Sequence, residues 1–116
     1  MNISTRAGKM LKEKLTQIYM EAAGWDTIDI NPEAMKKLKE QLVERCLKAD
    51  IGFRILATRD EHGKEAFIIK VDRSREGDAI LEADGVRVFV DPANITSAAE
   101  HELDYIDEPE GNFVLR

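Results

Sequence analysis

The stretch IGFRILATRDEHGKEAFIIKV, Ile51–Val71, reads as two apolar runs around a charged bend. IGFRILA and FIIKV are rich in the β-branched and aromatic residues that suit strands. Asp60-Glu61-His62-Gly63 between them fits a hairpin loop, with Gly63 at a left-handed position and charge keeping the tip wet. Two strands joined in this way set the character of the second half of the chain. They also raise the question of chemistry, because His62 is one of only two histidines. A lone histidine beside Glu61 at a loop tip is expected to face solvent and take no part in catalysis.

Downstream, strand signals continue. DAILEADGVRVFVD reads as a second hairpin turning at Ala83-Asp84-Gly85, where Asp-Gly supplies positive dihedral angles. Asp91 and Pro92 then open a short helix over 92–100, with Asp91 as cap and Pro92 at the first position. LDYIDE and NFVLR read as two last strands, joined by the turn Pro109-Glu110-Gly111.

Upstream, the chain is helical. Ala7, Met10, Leu11, Leu15, Ile18, Tyr19 and Ala22 recur at helical spacing, which predicts a helix over 5–22 ending near Gly24. Trp25 is expected to pack that helix to the rest. DTIDI alternates polar and apolar residues and predicts a short strand with Ile28 and Ile30 inward. NPEAMKKLKEQLVERCLKAD then carries a full helix start: Asn31 as cap, Pro32 at the first position and Glu33 at the positive end. Its apolar stripe is Ala34, Met35, Leu38, Leu42, Val43, Cys46 and Leu47. On that stripe Cys46 reads as a small buried hydrophobe.

At 116 residues the chain can build one core, and its 43% hydrophobic and 34% charged content is that of a globular protein. Strands clustered after helices predict an α+β fold. The expected core comprises Leu38, Leu42, Phe53, Ile55, Phe67, Ile69, Val71, Ile80, Val88, Val90 and Phe113. No run approaches the roughly 18 apolar residues of a membrane helix, and MNISTRAGKMLKEKL lacks an apolar signal core. Cytoplasmic location is the resulting expectation, with no membrane partner.

The net charge of −6 is uneven. Residues 1–50 carry +1 and residues 51–116 carry −7. The acidic half argues against a phosphate-backbone footprint, so no nucleic-acid partner is expected. Arg6, Lys9, Lys12 and Lys14 make the first twenty residues basic, which reads as a solvated helix face.

Known catalytic signatures are absent. There is no phosphate-cradling glycine loop, no G-x-S-x-G and no H-E-x-x-H. His62 and His101 lie in different segments. Glu100, Glu102, Asp104, Asp107, Glu108 and Glu110 form an acidic set, but without the spacing or central glycine of a calcium hand. The set reads as a charged edge that discourages aggregation. Cys46 is the only cysteine, so neither an intrachain disulfide nor an all-thiolate metal site can form within these residues. No enzyme activity, cofactor, catalytic residue or metal ligand is expected.

The segment GVRVFVDPANITSAAEHELDYIDEPEGNFVLR resembles the HesB-like, A-type iron–sulfur cluster carrier family. The matching residues are Gly85, Val86, Val88, Val90, Asp91 and Pro92, then Asp104 and Tyr105, then Gly111 and Phe113. INPEAMKKLKEQL resembles that family's first helix, and Ile51-Gly52-Phe53-Arg54-Ile55 the strand after it. The resemblance covers roughly residues 27–116. It implies a HesB-like twisted β-sandwich or mixed sheet over 26–116, with a packed helix, and an amphipathic helical extension over 1–25.

The same resemblance implies a role in iron–sulfur cluster biogenesis, with iron–sulfur assembly proteins as partners. The family's three ligand cysteines have no counterpart here. The loop that carries the first is Arg59-Asp60-Glu61-His62-Gly63-Lys64, and the C-x-C pair would fall beyond Arg116. Cys46 matches none of these positions. The expectation is therefore a family member that does not hold a cluster through those cysteines. The alternative is a metal-free interaction module that kept the fold and uses the N-terminal helix for homodimerisation or partner docking.

Overall fold

The computed structural model describes the chain except residues 94–99 and 109 and the side chains of Asp26 and Glu65. Among the described residues it is an α+β fold with two α-helices and two mixed sheets. In chain order these are β1 (Asn2–Ile3), α1 (Thr5–Ala22), a single 3-10 turn (Trp25–Thr27), α2 (Pro32–Lys48), β2 (Ile51–Arg59), β3 (Glu65–Arg73), β4 (Ala79–Ala83), β5 (Val86–Val90), β6 (Glu102–Ile106) and β7 (Asn112–Leu115). One sheet has the order β3-β2-β5-β4, the other β1-β6-β7.

Both helices begin where their sequences say they should. The Asn31 side chain accepts the Ala34 N–H at 2.9 Å, with Pro32 in the first turn. Ser4 caps α1 by accepting the Ala7 N–H at 3.0 Å, and its hydroxyl donates to Asp104 on β6 at 2.7 Å. One side chain thus satisfies an orphan helix donor and ties the helix to a strand a hundred residues away.

Between the helices, the strand expected at DTIDI does not form. Gly24 turns left-handed, Trp25–Thr27 closes a 3-10 turn, and the Thr27 hydroxyl donates to the Gly24 carbonyl at 2.8 Å. Ile28 is 55% exposed. Two alternating isoleucines carry too little apolar surface to hold a strand against this local turn. Trp25 is half-buried.

The core is shared by both helices and both sheets. α1 supplies Ala7, Leu11 and Leu15, and α2 supplies Val43 and Cys46. β2 adds Phe53 and Ile55, β5 adds Val86, Val88 and Val90, and β6 adds Leu103. Residues 1–25, expected as an extension, therefore build the same core, and β1 pairs in parallel with β6.

Expected core residues Phe53, Ile55, Val88 and Val90 are fully buried, and Phe67, Ile69 and Phe113 pack at its margin. Leu38 and Leu42 are half-buried on α2. Val71 and Ile80 lie outside it, at 38% and 53% exposure. Val71 sits on the edge strand β3. Ile80 pairs with Phe89 on the outer face, and its neighbour Leu81 takes the inward position, a one-residue slip that reverses the face.

The first two hairpins form as read, whereas the turn read at Pro109-Glu110-Gly111 lies partly outside the described residues. β2 and β3 pair without interruption from Ile51↔Arg73 to Arg59↔Glu65. β4 and β5 are joined by Asp84 and Gly85, both with positive φ (54° and 81°). β6 and β7 pair antiparallel, with the Tyr105 and Phe113 rings edge-on at 5.0 Å. The short helix expected over 92–100 falls mostly outside the described residues. At its start, Ala93 N–H donates to Asp91 Oδ1 at 2.9 Å.

Candidate functional site

The bend at residues 60–64 is closed by its own bonds. Asp60 N–H donates to the Lys64 carbonyl at 2.9 Å, and Gly63 N–H to the Asp60 carbonyl at 3.0 Å. Asp60 Oδ1 accepts the N–H groups of both His62 and Lys64 at 2.9 Å. Gly63 takes φ 75°, the left-handed conformation that favours glycine. Arg59 Nη1 reaches the Gly63 carbonyl at 3.0 Å. His62 is exposed at the tip, and its ring has no partner among the described residues. His101 lies on the other sheet's approach, with Nδ1 3.1 Å from the Arg116 carbonyl oxygen.

The only thiol is elsewhere. Cys46 is 4% exposed on the inner face of α2, and burial pushes its thiol up. A raised thiol is mostly protonated, whereas iron and iron–sulfur clusters take thiolates. Among the described residues no three His, Cys, Asp or Glu side chains come together. The acidic set is spread along β6 and its exits. Asp104 is held by Ser4 and Arg116 Nη2, and Asp107 pairs with Arg6. Among the described residues the donor set therefore does not fit a cluster: one buried thiol, and a loop whose Asp60 oxygen already accepts two backbone N–H groups.

A buried ionic cluster lies on the outer face of the four-stranded sheet. Arg54, 1% exposed, stands opposite Phe53 and Ile55 in the alternation of β2. Its Nε donates to Asp72 at 2.7 Å, and Nη1 and Nη2 donate to the two carboxylate oxygens of Asp78 at 2.8 and 2.6 Å. Nη2 also reaches the Arg73 carbonyl at 3.0 Å. The guanidinium carbon is 5.7 Å from the ring centre of Phe89, its neighbour on β5. Arg54 holds both carboxyls below the usual carboxylate range. Every buried polar side-chain atom among the described residues is satisfied, so the cluster fastens the 74–78 loop across the sheet and offers no free group for chemistry. Sequence reasoning placed Arg54 in a strand but missed its burial. A charged residue inside an apolar run, followed by acids flanking the next turn, was the available signal.

Among the described residues, a groove of about 510 Å³ lies between two strand edges. Ala66, Phe67 and Ile69 of β3 form one wall, and Asn112 to Leu115 of β7 the other, with Lys14 of α1 beside them. The Lys14 ammonium sits 5.8 Å from the Phe113 ring centre. That volume is within the roughly 300–1,000 Å³ of ligand clefts. Six of its eight lining residues are apolar in type, and Lys14 and Asn112 bring side-chain polar groups beside the strand backbone. Phe67, Ile69 and Phe113 were legible as apolar strand residues, whereas Lys14 was read only as part of a solvated face.

No protein-family model matches the chain, and no curated protein matches it. Among the described residues, two helices pack with two mixed sheets in an α+β fold, and a groove lies between sheet edges.

Proposed function

We propose that this chain is a HesB-like protein of iron–sulfur cluster biogenesis that acts by binding proteins and holds no cluster in the family's loop. The observation that carries the reading is the 60–64 bend. It stands where the resemblance puts the first ligand cysteine, yet it has no thiol and its Asp60 closes the turn on itself. The order of elements from α2 through β7 supports the resemblance, because the residues that carry it fall in a helix, two hairpins and two closing strands.

The second reading, an interaction module that has lost the iron link, gains from the groove, which needs no iron-handling partner. Docking through the apolar face of α1 is not part of it, because Ala7, Leu11 and Leu15 are spent in the core.

Recovery of the tagged protein from cells that make it separates the two. A cysteine desulfurase or a cluster scaffold co-purifying in comparable amount is the expected result. Recovery without either overturns the iron–sulfur assignment and leaves the module.

A further inference from the structure

We propose that the groove between β3 and β7 takes an extended segment of a partner protein as an added strand, with alternating apolar side chains and a carboxylate that meets Lys14. The inference rests on the protein-binding part of the proposed function and not on its iron–sulfur part.

Among the described residues both walls are edge strands, each the last of its sheet. Their lining residues are consecutive along β7 and include neighbours on β3, so strand edges and not only one face border the groove. The phase of hydrogen bonding follows from the register. At the end of β7, Glu102 and Arg116 exchange both N–H···O bonds at 2.9 Å. Alternation then makes Asp104/Val114 and Ile106/Asn112 the bonded pairs. The N–H and C=O of Phe113 and Leu115 consequently point away from β6.

On β3, the Asp60–Lys64 bond sets the phase of the uninterrupted hairpin. Thr58/Ala66 and Leu56/Ile68 are bonded pairs, and the backbone groups of Phe67 and Ile69 point away from β2. The same four residues, Phe67, Ile69, Phe113 and Leu115, thus offer half-buried side chains and outward backbone groups.

Edge strands ordinarily carry charges or proline that block pairing. β3 does so at Lys70, Asp72 and Arg73, but Ala66–Ile69 has no charged side chain, nor has β7. The unprotected parts are the parts that face the groove. An extended backbone is the chemistry that satisfies alternate N–H and C=O groups, and apolar side chains at every second position suit the walls. Lys14 makes no ion pair among the described residues, so a carboxylate on the incoming segment complements it.

The test is selection of a random heptapeptide display library on the whole chain, followed by amide hydrogen exchange with the resynthesised peptides. Enriched peptides should alternate apolar residues and carry Asp or Glu at one side. They should protect the amides of Phe67, Ile69, Phe113 and Leu115, while those of Ile68 and Val114 are already protected in the free protein. Lys14→Glu should weaken them about fivefold. No enrichment, protection elsewhere, or equal binding to K14E overturns the proposal. Protection of the four amides in the free protein that grows with concentration overturns it in favour of a second copy. A co-purifying desulfurase or scaffold that leaves them unprotected refutes this groove while the proposed function stands.

Discussion

Arg54 and Asp78 are joined by two parallel hydrogen bonds, 2.8 and 2.6 Å, across the 24 residues that separate them in sequence. Both side chains are almost wholly buried, at 1% and 3% exposure. Removing one partner strands a buried charge. Asp78→Ala should therefore lower unfolding stability by about 3–5 kcal/mol. The double variant Arg54→Met with Asp78→Leu should recover much of that loss, a non-additivity read by denaturant unfolding of the cycle.

The same cluster sets an acid limit. Hydrogen bonds from Arg54 hold the Asp72 and Asp78 carboxyls below their ordinary range. Hydrogen bonds from Ser74 and Ser4 do the same for Asp50 and Asp104. Groups depressed in the folded state contribute stability that is fully present above their unfolded value, near about pH 4, and lost as pH falls through the folded values. Stability should be nearly flat from about pH 8 to pH 5 and fall below about pH 4. In Arg54→Met that acid slope should be shallower, as measured by unfolding midpoints across pH.

Two glycines should respond differently to alanine. A Cβ on Gly52 would lie 2.3 Å from the Arg87 carbonyl oxygen on the neighbouring strand. That oxygen is backbone and not a flexible side-chain end, so Gly52→Ala must push strands apart and should cost about 3 kcal/mol or more. Gly63 has open space around it but φ 75°. Gly63→Ala should cost only about 1–2 kcal/mol, the strain of a left-handed residue. Thermal unfolding of both variants ranks them.

Cys46 should be slow towards thiol reagents in the native protein and fast once unfolded. Its position in the core and its raised thiol both act in that direction. A native rate close to the unfolded one would contradict the burial.

The elements written in local chemistry were legible from sequence: Asn31-Pro32 at the start of α2, Gly63 in the first bend and Asp84-Gly85 in the second. Elements made by distant partners were not. β1 is two residues long and exists because Asn2 and Ile3 find Glu102 and Leu103. Arg54 looked like one polar residue in an apolar strand, because its partners Asp72 and Asp78 come together only after β3 folds back. Ile80 failed by a single position, since a strand with apolar residues at neighbouring sites does not declare its inner face. The groove was invisible for the same reason. Its walls come from strands in different sheets, and its charge from a helix at the other end of the chain.

The most direct measurement is anaerobic reconstitution with iron and sulfide, followed by the visible absorption spectrum, on the wild type and on Cys46→Ser. The account predicts no stable sulfur-to-iron charge-transfer band in either protein, with the fold retained by circular dichroism. A stable band in the wild type that is lost in Cys46→Ser would make the thiol a ligand and contradict both its place in the core and the cluster-free reading.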